Sequence, residues 1–108
     1  MLRIWKFMFF QLIIVTVLGA TMLAQQHNYV PKDGYVPDEK TAIVVAEAVL
    51  ARIYGEPKIS SERPFHAVLD RNNVWTIEGS IPNGSVGGVA SIRLQRLDGR
   101  ILSVIHGK

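Results

Sequence analysis

A chain of 108 residues has room for one packed domain, because a core needs on the order of 100 residues to bury enough apolar surface, and a second domain is excluded. The absence of cysteine excludes disulfide stapling and lipid modification through a thiol. The net charge of +3 comes from Lys and Arg scattered singly, not from a basic stripe interleaved with aromatics, so nucleic acid is not an expected partner.

Residues 7 to 24, FMFFQLIIVTVLGATMLA, are eighteen residues without a charge, and Arg3 and Lys6 precede them. A positive leader followed by an apolar run is the order of a secretory signal. Cleavage after Ala20 or Ala24 would place Leu18 or Met22 two positions before the terminal Ala, so neither is a clean small-x-small site. The same run lies near the lower length limit for a bilayer-spanning helix, which leaves an uncleaved anchor open. In the anchor reading Arg3 and Lys6 stay inside, and in both readings the rest of the chain is expected outside the cytoplasm, periplasmic or extracytoplasmic, free or tethered in the inner membrane. Without those two cations the net charge falls to +1, so the remaining domain is close to neutral.

Residues 25 to 36, QQHNYVPKDGYV, mix polar residues with Pro31 and Gly34 and read as a linker. A helix of about five turns is expected from Pro37, which fits a first turn, to a stop at Gly55. Ala42, Val45, Ala46, Val49, Leu50 and Ile53 recur at helical spacing as its buried stripe, with Lys40, Glu47 and Ala51 opposite. Residues 56 to 64 read as a connector with two prolines.

The period then changes to two. Residues 65 to 69 are a strand candidate and Arg71-Asn72-Asn73 a turn. Residues 74 to 81 form a strand whose Trp75, Ile77 and Ile81 share one buried face. Residues 82 to 88, PNGSVGG, end it as a glycine-rich loop. Residues 89 to 97 and 101 to 105 flank Asp98-Gly99, a hairpin signal in which both central residues would take positive φ. Ala90, Ile92 and Leu94 face one way along the first of these strands, and Ser91, Arg93 and Gln95 the other. The expected fold class is α+β, with one amphipathic helix over about four antiparallel strands at 37 to 108.

Catalytic patterns are not found. His27, His66 and His106 lack metal-ligand spacing. None of Ser60, Ser61, Ser80 and Ser85 sits in a nucleophile elbow, and Glu47 and Glu78 read as separate solvated carboxylates. The glycine loop leads into a strand, so it offers no helix N-terminus to a phosphate. Trp75 reads as core. No catalytic, cofactor or metal residue is assigned, and the profile is that of a binding module.

Three stretches carry a resemblance: GYVPDEKTAIVVAEAVLARIYG at 34 to 55, RPFHAVLDRNNVWTIEGSIP at 63 to 82 and GGVASIRLQRLDGRILSVIHGK at 87 to 108. Within them Tyr35-Val36-Pro37-Asp38-Glu39, Arg63-Pro64-Phe65, Gly87-Gly88-Val89 and His106-Gly107-Lys108 are the specific pieces. Together they resemble the small immunity proteins with a nuclear-transport-factor-2-like fold. The resemblance implies a strongly curved sheet under a helical layer, here in reduced form. It also implies a cognate bacterial toxin as partner, encoded by an adjacent gene, and no catalytic residues. Export narrows the toxin to one acting outside the cytoplasm.

Loops and chain ends bear adaptable contacts, so Asn83, Ser85, His106 and Lys108 are the expected partner-binding residues. A propeptide-like inhibitor or chaperone of an exported peptidase is the alternative function. An envelope enzyme would need His66, Glu78 and His106 around one pocket. The oligomeric state is left open, with residues 101 to 105 as the edge strand to watch.

Overall fold

The computed structural model describes residues 26–108. The stretch read as a signal peptide or anchor, 1–24, lies outside the described residues. Among those described, no helix is long and apolar enough to cross a membrane.

Helix α1 spans Glu39–Tyr54. Asp38 is its N-cap: the backbone is extended there and Oδ1 accepts the Thr41 N–H at 2.7 Å. That bond satisfies one of the donors a helix start leaves unpaired. Gly55, at φ 95°, ends the helix, and its N–H bonds to the Ala51 carbonyl at 2.9 Å. Ala42, Ala46 and Leu50 are fully buried, and the two alanines let the helix axis approach the sheet closely. Val45 and Val49 pack beside them.

The last turn departs from the expected stripe. Ile53 is 54% exposed, whereas Ala51 and Tyr54 pack against the core. Ala42, Ala46, Leu50 and Tyr54 follow one another at intervals of four, so the covered side of α1 turns away from Ile53 by the last turn, and the Tyr54 ring lies 5.1 Å from that of His106. Gly55 then leads directly into a second helix, α2, Glu56–Ser61. The stretch expected to be a connector is thus largely helical. Pro57 sits in the first turn of α2, where its missing N–H is harmless, and Ile59 is fully buried. Among the described residues the helical layer has two members where one was expected.

Strands β1 (His66–Leu69), β2 (Val74–Glu78), β3 (Ala90–Gln95) and β4 (Ile101–His106) form one open antiparallel sheet in sequence order. Trp75 and Ile77 on β2 and Ala90, Ile92 and Leu94 on β3 meet Ala42, Ala46, Leu50, Ile59 and Phe65 in a single core. Antiparallel sheets cover one face in this way and leave the other to solvent. The expected alternation on β3 and the core role of Trp75 are as read from the sequence.

Strand β2 stops at Glu78, three residues short of the expected end at Ile81, which is 58% exposed. The reason lies across the chain. Gly79 passes so close to Glu62 that a Cβ on it would lie 3.0 Å from the Glu62 Cβ. The Ser80 N–H then bonds to the Glu62 carbonyl at 2.7 Å, which draws the backbone out of the ladder.

The Asp98-Gly99 turn also differs from expectation. Gly99 has φ 74°, but among the described residues the only non-glycine residue at positive φ is Asn73. Asp98 instead accepts the Arg100 N–H through Oδ1 at 2.9 Å, an Asx-type closure, within a five-residue connection, 96–100.

Packing begins inside the stretch read as a spacer. Tyr35 N–H and Val36 N–H donate to the carbonyls of Leu97 and Arg96 at 2.9 and 3.0 Å. The buried Trp75 Nε1–H donates to the Val36 carbonyl at 2.8 Å, and the Val36 side chain belongs to the core. Gly34 approaches the Arg96 carbonyl so closely that a Cβ there would overlap it.

Candidate partner-binding surface

One end of the sheet gathers the 79–89 loop, the C-terminal residues and the end of α2, and Glu62 ties them together. Glu62 is 2% exposed, which is tolerated for a carboxylate only when its oxygens are paired. Oε1 accepts the Ala90 N–H at 2.6 Å, where β3 begins. Oε2 lies 3.1 Å from His106 Nε2, where β4 ends. Its backbone carbonyl holds Ser80, whose hydroxyl donates to the Pro64 carbonyl at 2.6 Å.

His106 is half-buried by these contacts. Its Nδ1 lies 2.7 Å from the Gly107 carbonyl, and its ring sits 5.1 Å from the Tyr54 ring at 59°. Alongside, Gly88 and Gly107 touch backbone to backbone: a Cβ on Gly107 would lie 2.8 Å from the Gly88 Cα. Gly107 N–H bonds to the Val89 carbonyl at 3.2 Å.

Beyond this base the loop rises into solvent. Ser85 N–H closes a turn on the Pro82 carbonyl at 3.0 Å, with Gly84 at φ 76° and Gly87 at φ 131°. Such angles are natural for glycine and strained for other residues. Asn83 and Ser85 are exposed on the turn, as is Lys108 at the chain end, and the Lys108 carbonyl approaches Gly87. Of the residues expected to bind a partner, Asn83, Ser85 and Lys108 are therefore open to one, while His106 is engaged within the fold. Sequence periodicity gave no sign of Glu62, because a buried carboxylate in a stretch without strand or helix pattern has no local signature.

The residues required for an enzyme pocket are not brought together. His66 and Glu78 face each other across β1 and β2, and their row continues through Ser91 to Ile105. His106, one residue further along β4, therefore points to the other face. Among the described residues no group of three or more His, Asp or Glu could hold a metal ion. Glu47, read as a solvated carboxylate, accepts the Arg63 Nε–H at 2.6 Å, and this contact holds the guanidinium even more firmly protonated than usual.

Two open depressions lie elsewhere. One of about 440 Å³ is lined by Asp38, Glu39, Lys40, Ile43 and Val44 beside the start of α1. A smaller one of about 150 Å³ is lined by Lys32, Asp33, Asn73, Arg96 and Leu97.

A family model described as "NTF2 fold immunity protein" matches residues 41–108. The chain is 32% identical over 74 residues to the uncharacterized protein YhhH of Escherichia coli K12, covering 68% of this chain and 58% of that one. It is 31% identical over 74 residues to the uncharacterized protein YbbC of the same organism, covering 68% and 60% respectively. The chain thus spans about three-fifths of the length of these curated relatives. No solved structure matches.

Proposed function

The chain belongs to the NTF2 fold immunity protein family, and from that premise we propose that it binds and neutralises a cognate bacterial toxin acting outside the cytoplasm. The observation that carries this reading is the extent of the family match, 41–108, which takes in both sheet edges, the 79–89 loop and nearly all of α1. The role is one of binding, and the toxin is encoded beside the chain.

Export is supported by the uncharged run at 7 to 24 behind Arg3 and Lys6, the pattern of a membrane-directing segment. The domain works in the periplasm or outside the cell, released by cleavage or held at the membrane by that run. Near-neutral charge in the remainder suits a target other than a basic nuclease, whose inhibitors carry complementary acidic surfaces. The end of the sheet bearing Asn83, Ser85 and Lys108, with His106 beneath, is the contact surface.

Co-expression with the adjacent toxin, with and without residues 1–24, tests this. Protection by the full chain, and loss of protection without the leading segment, is the expected result. Equal protection by both forms would remove the compartment claim, and capture of a peptidase from envelope extracts in place of a toxin would favour the propeptide-like alternative.

A further inference from the structure

The connection between β2 and β3 is longer than antiparallel neighbours need. It uses eleven residues, 79–89, against four between β1 and β2 and five between β3 and β4. Hairpins usually close in about two to five. Its base is also held more firmly than a spare insertion requires. On the β2 side Ser80 is bonded to Glu62 and Pro64. On the β3 side the Ala90 N–H is bonded to the side-chain carboxylate of Glu62, whereas Ser80 takes its backbone carbonyl, and Gly88 lies against Gly107.

Two apolar side chains of this stretch are exposed, Ile81 in part, next to the fastened base, and Val86 at the far end of the loop. Val86 is wholly exposed, between the 82–85 turn and Gly87-Gly88. No residue of the 79–89 stretch is charged. A Cβ added to Gly84 would meet nothing within 4 Å, so no neighbouring bulk keeps a partner's wall away from the tip. A β-branched side chain also has few rotamers to lose on burial, and all of its apolar surface can be removed from water in one step.

We propose that Val86 is a knob that enters a concave, uncharged, apolar pocket on the cognate toxin, with Asn83 and Ser85 hydrogen-bonding at the rim. This rests on the immunity reading and adds to it the chemistry of the partner surface. The floor of that pocket carries no charge, because Val86 has no group with which to pair one.

The test uses the full chain and the toxin encoded beside it, with V86D, V86T and V86I compared with wild type by equilibrium binding and thermal melting. V86D should weaken binding at least about tenfold, and V86T several-fold, because each puts a polar group into an apolar pocket. V86I should stay within about threefold of wild type. Melting should be unchanged in all three, since the Val86 side chain is wholly exposed in the free chain. Wild-type affinity in V86D or V86T overturns the knob while leaving the immunity reading intact. Failure of the wild-type chain to bind the toxin overturns the immunity reading and the knob with it.

Discussion

Glu62 Oε2 and His106 Nε2 lie 3.1 Å apart although the residues are 44 positions apart in sequence. The other oxygen of the same carboxylate holds the backbone of Ala90. The side chain of this one residue at the end of α2 thereby fixes where β3 starts and where β4 ends, and its backbone carbonyl, bonded to Ser80, fixes where the 79–89 loop leaves the sheet.

Replacing Glu62 with Ala should be among the most damaging single changes in the domain. It leaves the Ala90 N–H without its acceptor and opens a cavity beside Gly79 and Phe65, at a cost of about 3 kcal/mol. Glu62→Gln keeps an oxygen acceptor for Ala90 and should cost about half as much. Urea unfolding of the two variants checks the order, and equal loss would mean that the carboxylate is not the tie.

Gly88 and Gly84 should respond differently to the same substitution. A Cβ on Gly88 would overlap the Gly107 backbone, whereas one on Gly84 meets nothing. Gly88→Ala must push two backbones apart and should destabilise by about 2 kcal/mol. Gly84→Ala bears only the strain of φ 76°, about 1 kcal/mol. Thermal unfolding separates them, and the reverse order would contradict the close approach.

These two positions mark what sequence reading could reach. The four strands and the inward face of β3 were legible because β-branched and aromatic residues alternate there. The glycines of 82–88 marked the loop. Helix α2 was not legible, because six residues with one buried apolar side chain establish no period. Ile81 lies where a non-local contact, with Glu62, overrides the local pattern, and Ile53 lies where the covered side of α1, stepping by four through Ala46, Leu50 and Tyr54, has turned away from it. His106 reads from the sequence as a partner contact at the chain end, whereas it pairs with Glu62, a residue without a local signature, and that pairing exists only in three dimensions.

The N-cap of α1 gives a pH prediction. Hydrogen bonding from Thr41, chiefly its backbone N–H, holds the Asp38 carboxyl below the ordinary carboxylate range. A lowered folded-state value means that the carboxylate stabilises the fold above its unfolded value, roughly pH 4, and that this is lost as the pH falls through the folded value. Asp38→Asn, which caps without titrating, should flatten that part of the acid unfolding curve. Circular dichroism of helix content from neutral to strongly acidic pH checks it, and superimposable curves would contradict it.

Trimming the chain should reveal where packing begins. Starting at residue 37 removes the buried Val36 side chain, the acceptor of Trp75 Nε1–H, and the Tyr35 and Val36 bonds to Leu97 and Arg96. The expected loss is roughly 3 kcal/mol relative to a chain starting at residue 26. Comparing their urea midpoints tests this; matching midpoints would show that 34–36 is only a spacer.

The central claim is toxin neutralisation, and survival measures it directly. Cells that export the adjacent toxin should grow when they also make the full chain and should die when they do not. Equal killing in both cultures, with the chain present in the envelope at normal amounts, would contradict the account.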